Sequence, residues 1–480
     1  MLWVGLARDR VVNSRFVREK SAVPKDKYRP GERNRRLLER PPKRILDILQ
    51  HPRHRENAVL ISTLVETLHA CESPLDLYEL QASLGPLIYA ADEWRSQCAE
   101  IELRLRAEAE ADPSWRTVDW ELERIVADRV ARQRRCVGDG LAWKALGYDR
   151  RVVMAMGGNR GQANVFGKDG FWCEVAVVQD AWEKGGHFTL HHDLTSCLRI
   201  DDLTECTGLH RPDVPAEHVC GPETHLLHEV KMRNGKCRTH HGGAQARRVE
   251  RLIAAINSGA PIVGADGKLR NQFITSVEFK THLHQVESTL KEAWETGYSA
   301  KIIEPGRVVT AAAPLTLLAR GMDLISVLAR QREMISEAGI GPDETPYMAP
   351  MVDALGITTD HPPFSIYPFD PSLCAAIICD YLTVQPILGP TRLLEALTEA
   401  GFDAVGSPPT LDLADPDAVI AWGAIGERRM SINSGGLVQI LYEFQDLKRL
   451  TEAMVEYCSA PDTVLATGIL VLQNEAATWA

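Results

Sequence analysis

Apolar and polar positions alternate in two different ways along the chain, and the change falls near residue 150. From residue 45 to about residue 146, apolar residues recur every three or four positions, which predicts helices. Beyond this point, short apolar runs with strand character surround one helical stretch, which is typical of an α/β module of mixed strand order. Strands are predicted at about 151–156, 187–192, 197–206 and 224–232, with a helix at about 169–184 and a basic helix at about 243–257.

The second half of the chain continues this mixture. Strands are predicted at 272–279, 299–303 and 307–312, and helices at 281–297 and 436–457. Glycine and proline concentrate between residues 339 and 363, which predicts a long loop. We therefore predict a multi-domain α/β protein with a basic arm (1–44), a helical N-terminal domain (45–150), a central α/β domain (151–313) and a C-terminal α/β domain (314–480).

The composition, with 45% hydrophobic and 25% charged residues, is that of a soluble globular protein. No stretch of about 18 uncharged apolar residues occurs, so no membrane span is predicted. Charges at Arg8, Asp9 and Arg10 interrupt the place where a signal peptide would need its apolar segment. The eleven cysteines lack the spacing of a secreted disulfide framework, so we expect reduced thiols. These features predict a cytoplasmic protein that does not contact a membrane.

The net charge of −11 argues at first against a nucleic-acid partner, but the charge is distributed unevenly. Residues 1–56 hold sixteen Lys and Arg against seven Asp and Glu, a net +9, which leaves −20 for the rest of the chain. A second basic cluster follows residue 230, where a phosphate backbone could be held. Its members are Lys231, Arg233, Lys236, Arg238, Arg247, Arg248 and Arg251.

The run from His225 to Met232 carries the first candidate chemistry. Successive side chains of a strand point to opposite faces, so Glu229 and Lys231 are predicted to emerge side by side. A carboxylate that grips a hard divalent cation and an ammonium that neutralises phosphate charge suit phosphodiester cleavage. By itself the pair is also typical of a solvated ion pair on an edge strand.

Two acids upstream agree with the first interpretation. In the predicted strand at 197–206, Asp202 shares the face of Leu198, whereas Asp201 falls on the other face, so Asp202 is preferred over Asp201. Glu174 flanks the apolar stripe of the helix at 169–184, whereas Asp180 lies on the opposite side. A buried acid at the position of Glu174 needs a partner or a metal, because burying a bare carboxylate is costly.

This order of elements, a helix with Glu174, a strand, a strand with Asp202 and a strand with Glu229 and Lys231, resembles the PD-(D/E)XK, or restriction-endonuclease-like, superfamily. The resemblance covers about residues 165–280 and implies a central αβββαβ core. It implies catalytic roles for these four residues, with the three acids as metal ligands. It also implies substrate contacts on the following basic helix, from Gln245, Arg247 and Arg248.

The resemblance implies a DNA endonuclease that depends on Mg²⁺, with Mn²⁺ as a substitute, acting in defence against foreign DNA or in DNA processing. We also expect a second copy or a protein partner to bind the N- and C-terminal regions. The alternative is a non-catalytic nucleic-acid-binding or scaffold subunit, which would keep the nuclease fold for its shape. A zinc-dependent hydrolase is a third hypothesis.

Two other motifs compete for the same region. Residues 151–168 begin like a strand followed by a phosphate-binding loop, but Gly161 to Gly167 encloses five residues instead of four, and Lys168 is followed by Asp169 instead of Ser or Thr. Nine histidines lie between His187 and His241, yet neither a C-x₂-C pair nor an H-E-x-x-H motif occurs among them. The spacing therefore favours neither nucleotide nor zinc binding.

Overall fold

The structure is a computed structural model. It divides into two units, Met1–Arg40 and Pro41–Ala480, and every residue described below belongs to the second. The predicted basic arm, 1–44, therefore lies almost wholly outside the described residues. The structure describes residues 42–111, 118–157, 164–168, 170–198, 202–211, 225–233, 236–240, 251–252, 254–255, 258, 260, 262–263, 269–348, 362–406, 419–426, 428–459 and 469–474.

Helices form the first part of the described chain, as the apolar spacing predicts. The second helix begins with Pro52, whose fixed φ suits a first helical turn, and its buried residues recur at helical spacing from His54 to Leu68. None of the described helices is both long and apolar enough to cross a membrane. The helices are α1 (Pro42–Gln50), α2 (Pro52–Ala70), α3 (Pro74–Ala111), α4 (Val118–Ala145) and α5 (Arg150–Met156).

A buried ion pair joins α3 to α4. Both side chains are inaccessible to solvent, and the guanidinium of Arg135 grips Asp92 through two nitrogens at 3.0 and 2.6 Å. The same carboxylate accepts the backbone N–H of Val165 at 2.8 Å, which satisfies a further lone pair. The pair of helices thereby fixes the position of Val165, which lies shortly before the helix that begins at Phe171.

The predicted strand at 151–156 is wrong, because these residues form α5. Asp149 caps the helix by accepting the N–H of Arg151, and Val152, Val153 and Met156 bury one side of it. A short apolar run has the same composition in a buried strand and in a buried helix, so its periodicity alone does not distinguish them.

The central part contains a helix and a four-stranded antiparallel sheet. The helix predicted at 169–184 begins at Phe171 and ends in a π turn at Ala181–Gly185. The strand predicted at 197–206 begins only at Leu203. The preceding turn is held by Asp139, which accepts the N–H groups of Ser196 and Cys197. The elements are α6 (Phe171–Asp180), β1 (His187–His191), β2 (Leu203–His210), β3 (His225–Arg233) and β4 (Lys236–His240), paired in that order.

The next elements include a second four-stranded sheet and its helices. The strand order of this sheet is β7 (Tyr298–Glu304), β8 (Arg307–Ala312), β10 (Thr383–Leu388) and β9 (Tyr347–Met348). The predicted helix at 281–297 and the predicted strands at 299–303 and 307–312 are confirmed within a few residues. The elements are β5 (Ile262–Val263), β6 (Leu269–Thr275), α7 (Leu283–Thr296), β7 (Tyr298–Glu304), β8 (Arg307–Ala312), α8 (Pro314–Ala319), α9 (Leu324–Glu337), β9 (Tyr347–Met348), α10 (Pro371–Ile378) and β10 (Thr383–Leu388).

The C-terminal elements complete two three-stranded sheets. The final strand returns to the middle of the chain, where it pairs in parallel with β6, and β5 lies on the other side of β6. The helix predicted at 436–457 is two helices, because Phe444 takes a left-handed conformation between them. The elements are α11 (Pro390–Glu399), β11 (Asp403–Gly406), β12 (Val419–Ile425), β13 (Arg428–Asn433), α12 (Ser434–Glu443), α13 (Leu447–Ser459) and β14 (Ile469–Asn474).

The largest hydrophobic cluster among the described residues draws on the helical, central and C-terminal regions. Leu68 from the helices, Phe171 beside the central sheet and Tyr442 from α12 all belong to it. Side chains from all three domains predicted after residue 44 therefore share this core. The predicted α/β class is confirmed, whereas the predicted domain borders and the specific core arrangement stay predictions.

The cysteines differ in part from the expectation of reduced thiols. Cys173, in the first turn of α6, is disulfide-bonded, which contradicts that expectation at this position. Among the described residues, eight further cysteines are buried thiols, and they are Cys71, Cys98, Cys136, Cys197, Cys206, Cys374, Cys379 and Cys458.

Candidate functional site

Glu174 lies in the first turn of α6 with its side chain only 1% exposed. Its two oxygens have separate partners, the Nε2–H of His191 at 2.7 Å and the ammonium of Lys168 at 2.8 Å. The first turn of a helix also favours an anionic side chain, because the backbone N–H groups there have no helical acceptors. The sequence predicted that an acid at this position needs a partner, and the structure provides two.

Lys168 lies where three carboxylates meet. Its Nζ is 2.8 Å from Glu174, 2.6 Å from Asp193 and 3.6 Å from Asp202. Burial opposes a charge on this amine, but Asp193 and Glu174 outweigh burial and raise the pKa of Lys168 above its usual value. Lys168 therefore stays protonated at neutral pH, although one third of its side chain remains exposed.

Asp202 joins this cluster to the central strands. Its Oδ2 accepts the N–H of Val230 at 2.8 Å, and its own N–H donates to the carbonyl of His228. Burial raises the pKa of Asp202, helped by the negative charges of Glu174 and Asp193 and opposed by the Val230 hydrogen bond and Lys168. Asp202 is therefore a carboxylate that the surroundings disfavour in its ionised form.

The predicted Glu-x-Lys pair lies on β3, directly beside Asp202. The register pairs Leu203 with His228, so the residue before Leu203 is adjacent to Glu229. Glu229 is partly buried. In the antiparallel register of β3 and β4, Glu229 lies opposite His240, and Lys231 lies opposite Arg238. The side chain of Lys231 lies outside the described residues, and so do Asp201, Gln245, Arg247 and Arg248.

Three residues of the cluster are absent from the predicted site: Lys168, His191 and Asp193. Lys168 appeared in the sequence only as the lysine of a phosphate loop that fails on count, and its Gly-rich neighbours at 158–163 lie outside the described residues. His191 ends β1, and Asp193 follows in a single turn of 3₁₀ helix. The alternation of apolar and polar residues in β1 places His191 on the same face as Thr189, and in the structure both of these polar side chains are buried.

Gln81 of α3 holds β1 in position. Its side-chain amide donates to the carbonyl of Thr189 at 2.8 Å, and its oxygen accepts the N–H of His191 at 3.0 Å. The side chain of Gln81 thus satisfies two backbone groups of β1 that a neighbouring strand would otherwise bond. A residue more than one hundred positions away therefore fixes where the imidazole of His191 lies.

The donor atoms of the cluster fit a divalent cation. Glu174, His191 and Asp193 each offer one ligand atom, and these atoms lie within 4.8 Å of one another. Two carboxylate oxygens and an imidazole nitrogen suit Mn²⁺ or Zn²⁺ and are compatible with Mg²⁺. This set shares Glu174 with the predicted ligands, and Asp202 lies next to it across Lys168.

Comparisons with known proteins add no relationship. No protein-family model matches the chain, and neither a curated protein nor a solved structure matches it significantly.

Proposed function

We propose that this chain is a divalent-metal-dependent nuclease that hydrolyses phosphodiester bonds of DNA. One observation carries the proposal: Glu174, Asp193 and Asp202 converge on a single cation position, which the ammonium of Lys168 occupies. Several acids that face one point are costly without a positive charge between them. Such a centre is what a metal-assisted phosphodiester hydrolase needs.

The resemblance to the PD-(D/E)XK superfamily supports the same reaction. A helix with a buried acid, three consecutive antiparallel strands and a Glu-x-Lys pair on the third strand follow each other in the order that this superfamily requires. The support extends only to β3. The αβββαβ unit ends with a strand after the basic helix, and the strands that follow here, β5 and β6, form a sheet with β14 instead of joining β1–β4.

Glu174, His191 and Asp193 would hold the ion, with Asp202 and Glu229 beside it. Bound Mg²⁺ or Mn²⁺ would supply an acidified water and charge stabilisation for a phosphate. The hydrogen bond between His191 and Glu174 holds both side chains at the cluster. Lys168 is one third exposed, so an ion would free its ammonium to pair with a phosphate oxygen.

DNA is the proposed substrate because basic residues are concentrated around β3 and β4 and just after them, from Lys231 to Arg251. They would hold the phosphate backbone beside the acids without reading its sequence. Defence against foreign DNA or DNA processing is the proposed setting, and it rests on the superfamily resemblance.

The test is the conversion of supercoiled plasmid to nicked and linear DNA by purified full-length protein with Mg²⁺ or Mn²⁺. We expect Glu174→Gln and Asp202→Asn to lower the rate at least about 100-fold, because each removes a charged group from the reacting centre. Asp180→Asn is the matched control, since Asp180 lies on the same helix but its side chain is 60% exposed. The control should cleave like the wild type.

A different outcome would favour a nucleic-acid-binding or scaffold subunit. One observation supports this second candidate: Lys168 already pairs with Glu174 and Asp193, so these two carboxylates have a cation without a metal. A gel shift of plasmid fragments without cleavage at any Mg²⁺ or Mn²⁺ concentration would indicate a binder. Equal cleavage by the wild type, Glu174→Gln and Asp202→Asn would show that the activity resides elsewhere.

A further inference from the structure

A second group of potential metal ligands lies in another part of the fold. His282 precedes α7, Glu304 ends β7, and Asp446 lies between α12 and α13. One ligand atom from each lies within 4.8 Å of the other two, and all three residues are partly buried. None of them belongs to the cluster around Lys168, and the proposed nuclease reaction does not use them.

Backbone contacts bring these three segments together. The N–H of His282 donates to the carbonyl of Phe444, and the N–H of Asp446 donates to the carbonyl of Lys280, each at 2.8 Å. A β-bridge between Thr281 and Gln445 lies between these two bonds. The positions of His282 and Asp446 are therefore set by the main chain rather than by flexible side chains.

The imidazole of His282 has one nitrogen that is available as a metal ligand. Its Nδ1 is hydrogen-bonded to the side-chain oxygen of Gln285 at 3.0 Å, which leaves Nε2 as the nitrogen that can bind a metal ion. Nε2 is buried and has no hydrogen-bond partner among the described residues. Oε2 of Glu304 is 3.8 Å away from it, which is too long for a hydrogen bond.

Each carboxylate has one oxygen engaged. Oε1 of Glu304 accepts from Arg307 at 3.0 Å, and Oδ1 of Asp446 accepts the N–H of Arg449 at 3.0 Å, as a helix cap does. Oε2 of Glu304 faces Nε2 of His282 at 3.8 Å, and a ligand oxygen of Asp446 lies within 4.8 Å of both groups. The guanidinium of Arg307 is shared among several acceptors, because it also donates to the carbonyls of Gln445 and Ile440.

We propose that His282, Glu304 and Asp446 bind a divalent transition-metal ion, of which zinc is the representative. One imidazole nitrogen and two carboxylate oxygens are ligands that zinc accepts, with water in the remaining positions. The second nitrogen of the imidazole is hydrogen-bonded, as is usual for a metal-bound histidine. The ion would join the beginning of α7, the β7–β8 turn and the α12–α13 junction, so its role is structural.

The experiment measures bound zinc in full-length protein that has been treated with a chelator and dialysed against Zn²⁺. Asp446→Asn is the main variant, because asparagine keeps the helix cap but loses the anionic ligand. His282→Gln is the second variant. Asp323→Asn is the matched control, since Asp323 caps α9 in the same way by accepting the N–H of Ser326. All proteins also carry Glu174→Gln, which weakens the first cluster.

We expect the Glu174→Gln background and its Asp323→Asn derivative to retain one equivalent of zinc. The Asp446→Asn and His282→Gln derivatives should lose it, or bind it at least 10-fold more weakly. Circular dichroism verifies that each variant is folded. The proposal is overturned if the background retains no zinc, or if the two derivatives retain as much zinc as the Asp323→Asn control. Either result would mean that Arg307 is the cation that neutralises these acids and that no metal ion binds there.

Discussion

The two clusters described above contain the same kinds of groups, but their cations differ. In the first, Lys168 reaches the acids with a side chain that is one third exposed. In the second, Arg307 is fully buried and also donates to the main chain of α12. An ammonium on a flexible stem is easily displaced by a metal ion, whereas a guanidinium fixed by several acceptors is not. The first cluster therefore suits a site that exchanges its cation, and the second suits a permanent junction.

The largest effect is expected from the buried cation. Arg307→Met removes the donor of Glu304 and of the backbone carbonyls of Ile440 and Gln445. We expect the free energy of unfolding to fall by about 3–5 kcal/mol, the cost of removing one partner from a buried ion pair. Urea unfolding followed by circular dichroism measures it.

An exposed arginine provides the control for this prediction. Arg320 follows α8 and is exposed to solvent. Arg320→Met should change the unfolding free energy by no more than about 0.5 kcal/mol. If the two variants were destabilised equally, Arg307 would not be the fixed cation of the junction, and the contrast with Lys168 would fail.

A smaller and reversible effect is expected at Lys168. Lys168→Met leaves Glu174 and Asp193 without their ammonium, so the unfolding free energy should fall by about 1–2 kcal/mol, at the low end for charged hydrogen bonds because the lysine is partly exposed. Mn²⁺ should restore this stability, since the ion takes the vacated position. Thermal unfolding with and without Mn²⁺ measures the recovery. The wild type should gain less stability from Mn²⁺, because Lys168 still occupies the cation position, and an equal gain in both proteins would contradict the exchange of the lysine for a metal ion.

Sequence patterns predicted the elements that hold the first cluster better than they predicted its members. The helix that carries Glu174 and the strand that carries Glu229 follow directly from apolar spacing, and the need for a partner at Glu174 follows from the cost of burying an acid. These inferences use only local positions. The αβββαβ arrangement and the catalytic roles stay predictions, because no comparison tests them.

The remaining members depend on distant contacts that no spacing encodes. His191 takes its position from Gln81, and Val165, three residues before Lys168, takes its position from Asp92, both on α3. Residues 151–156 gave the wrong element for a related reason: their helix is selected by the cap at Asp149 and by packing, not by apolar character. Local patterns therefore predict helices and strands, whereas the loops between them decide which charged side chains meet.

The smallest effect distinguishes the two clusters by the sign of their pH dependence. Burial, with the help of Glu174 and Asp193, raises the pKa of Asp202, so its ionisation costs stability in the folded protein. Burial also opposes ionisation of Glu304, but His282 and Arg307 outweigh it and lower the pKa of this carboxyl, so its ionisation contributes stability. Neutralising the two acids should therefore have opposite consequences.

In metal-free protein at pH 7, Asp202→Asn should raise the free energy of unfolding by about 0.2–1 kcal/mol, the range for interactions of partly exposed charges, and Glu304→Gln should lower it. The gain at Asp202 should shrink as the pH falls through the raised pKa and vanish below the ordinary value of 3.8, where the carboxyl is protonated in both states. The loss at Glu304 should be complete above the ordinary value of 4.5 and disappear as the pH falls through the lowered pKa. Urea midpoints at a series of pH values measure both curves. Curves of the same sign would mean that the acids around Lys168 are as well satisfied as those around Arg307, and the first cluster would then have no electrostatic reason to exchange its lysine for a metal ion.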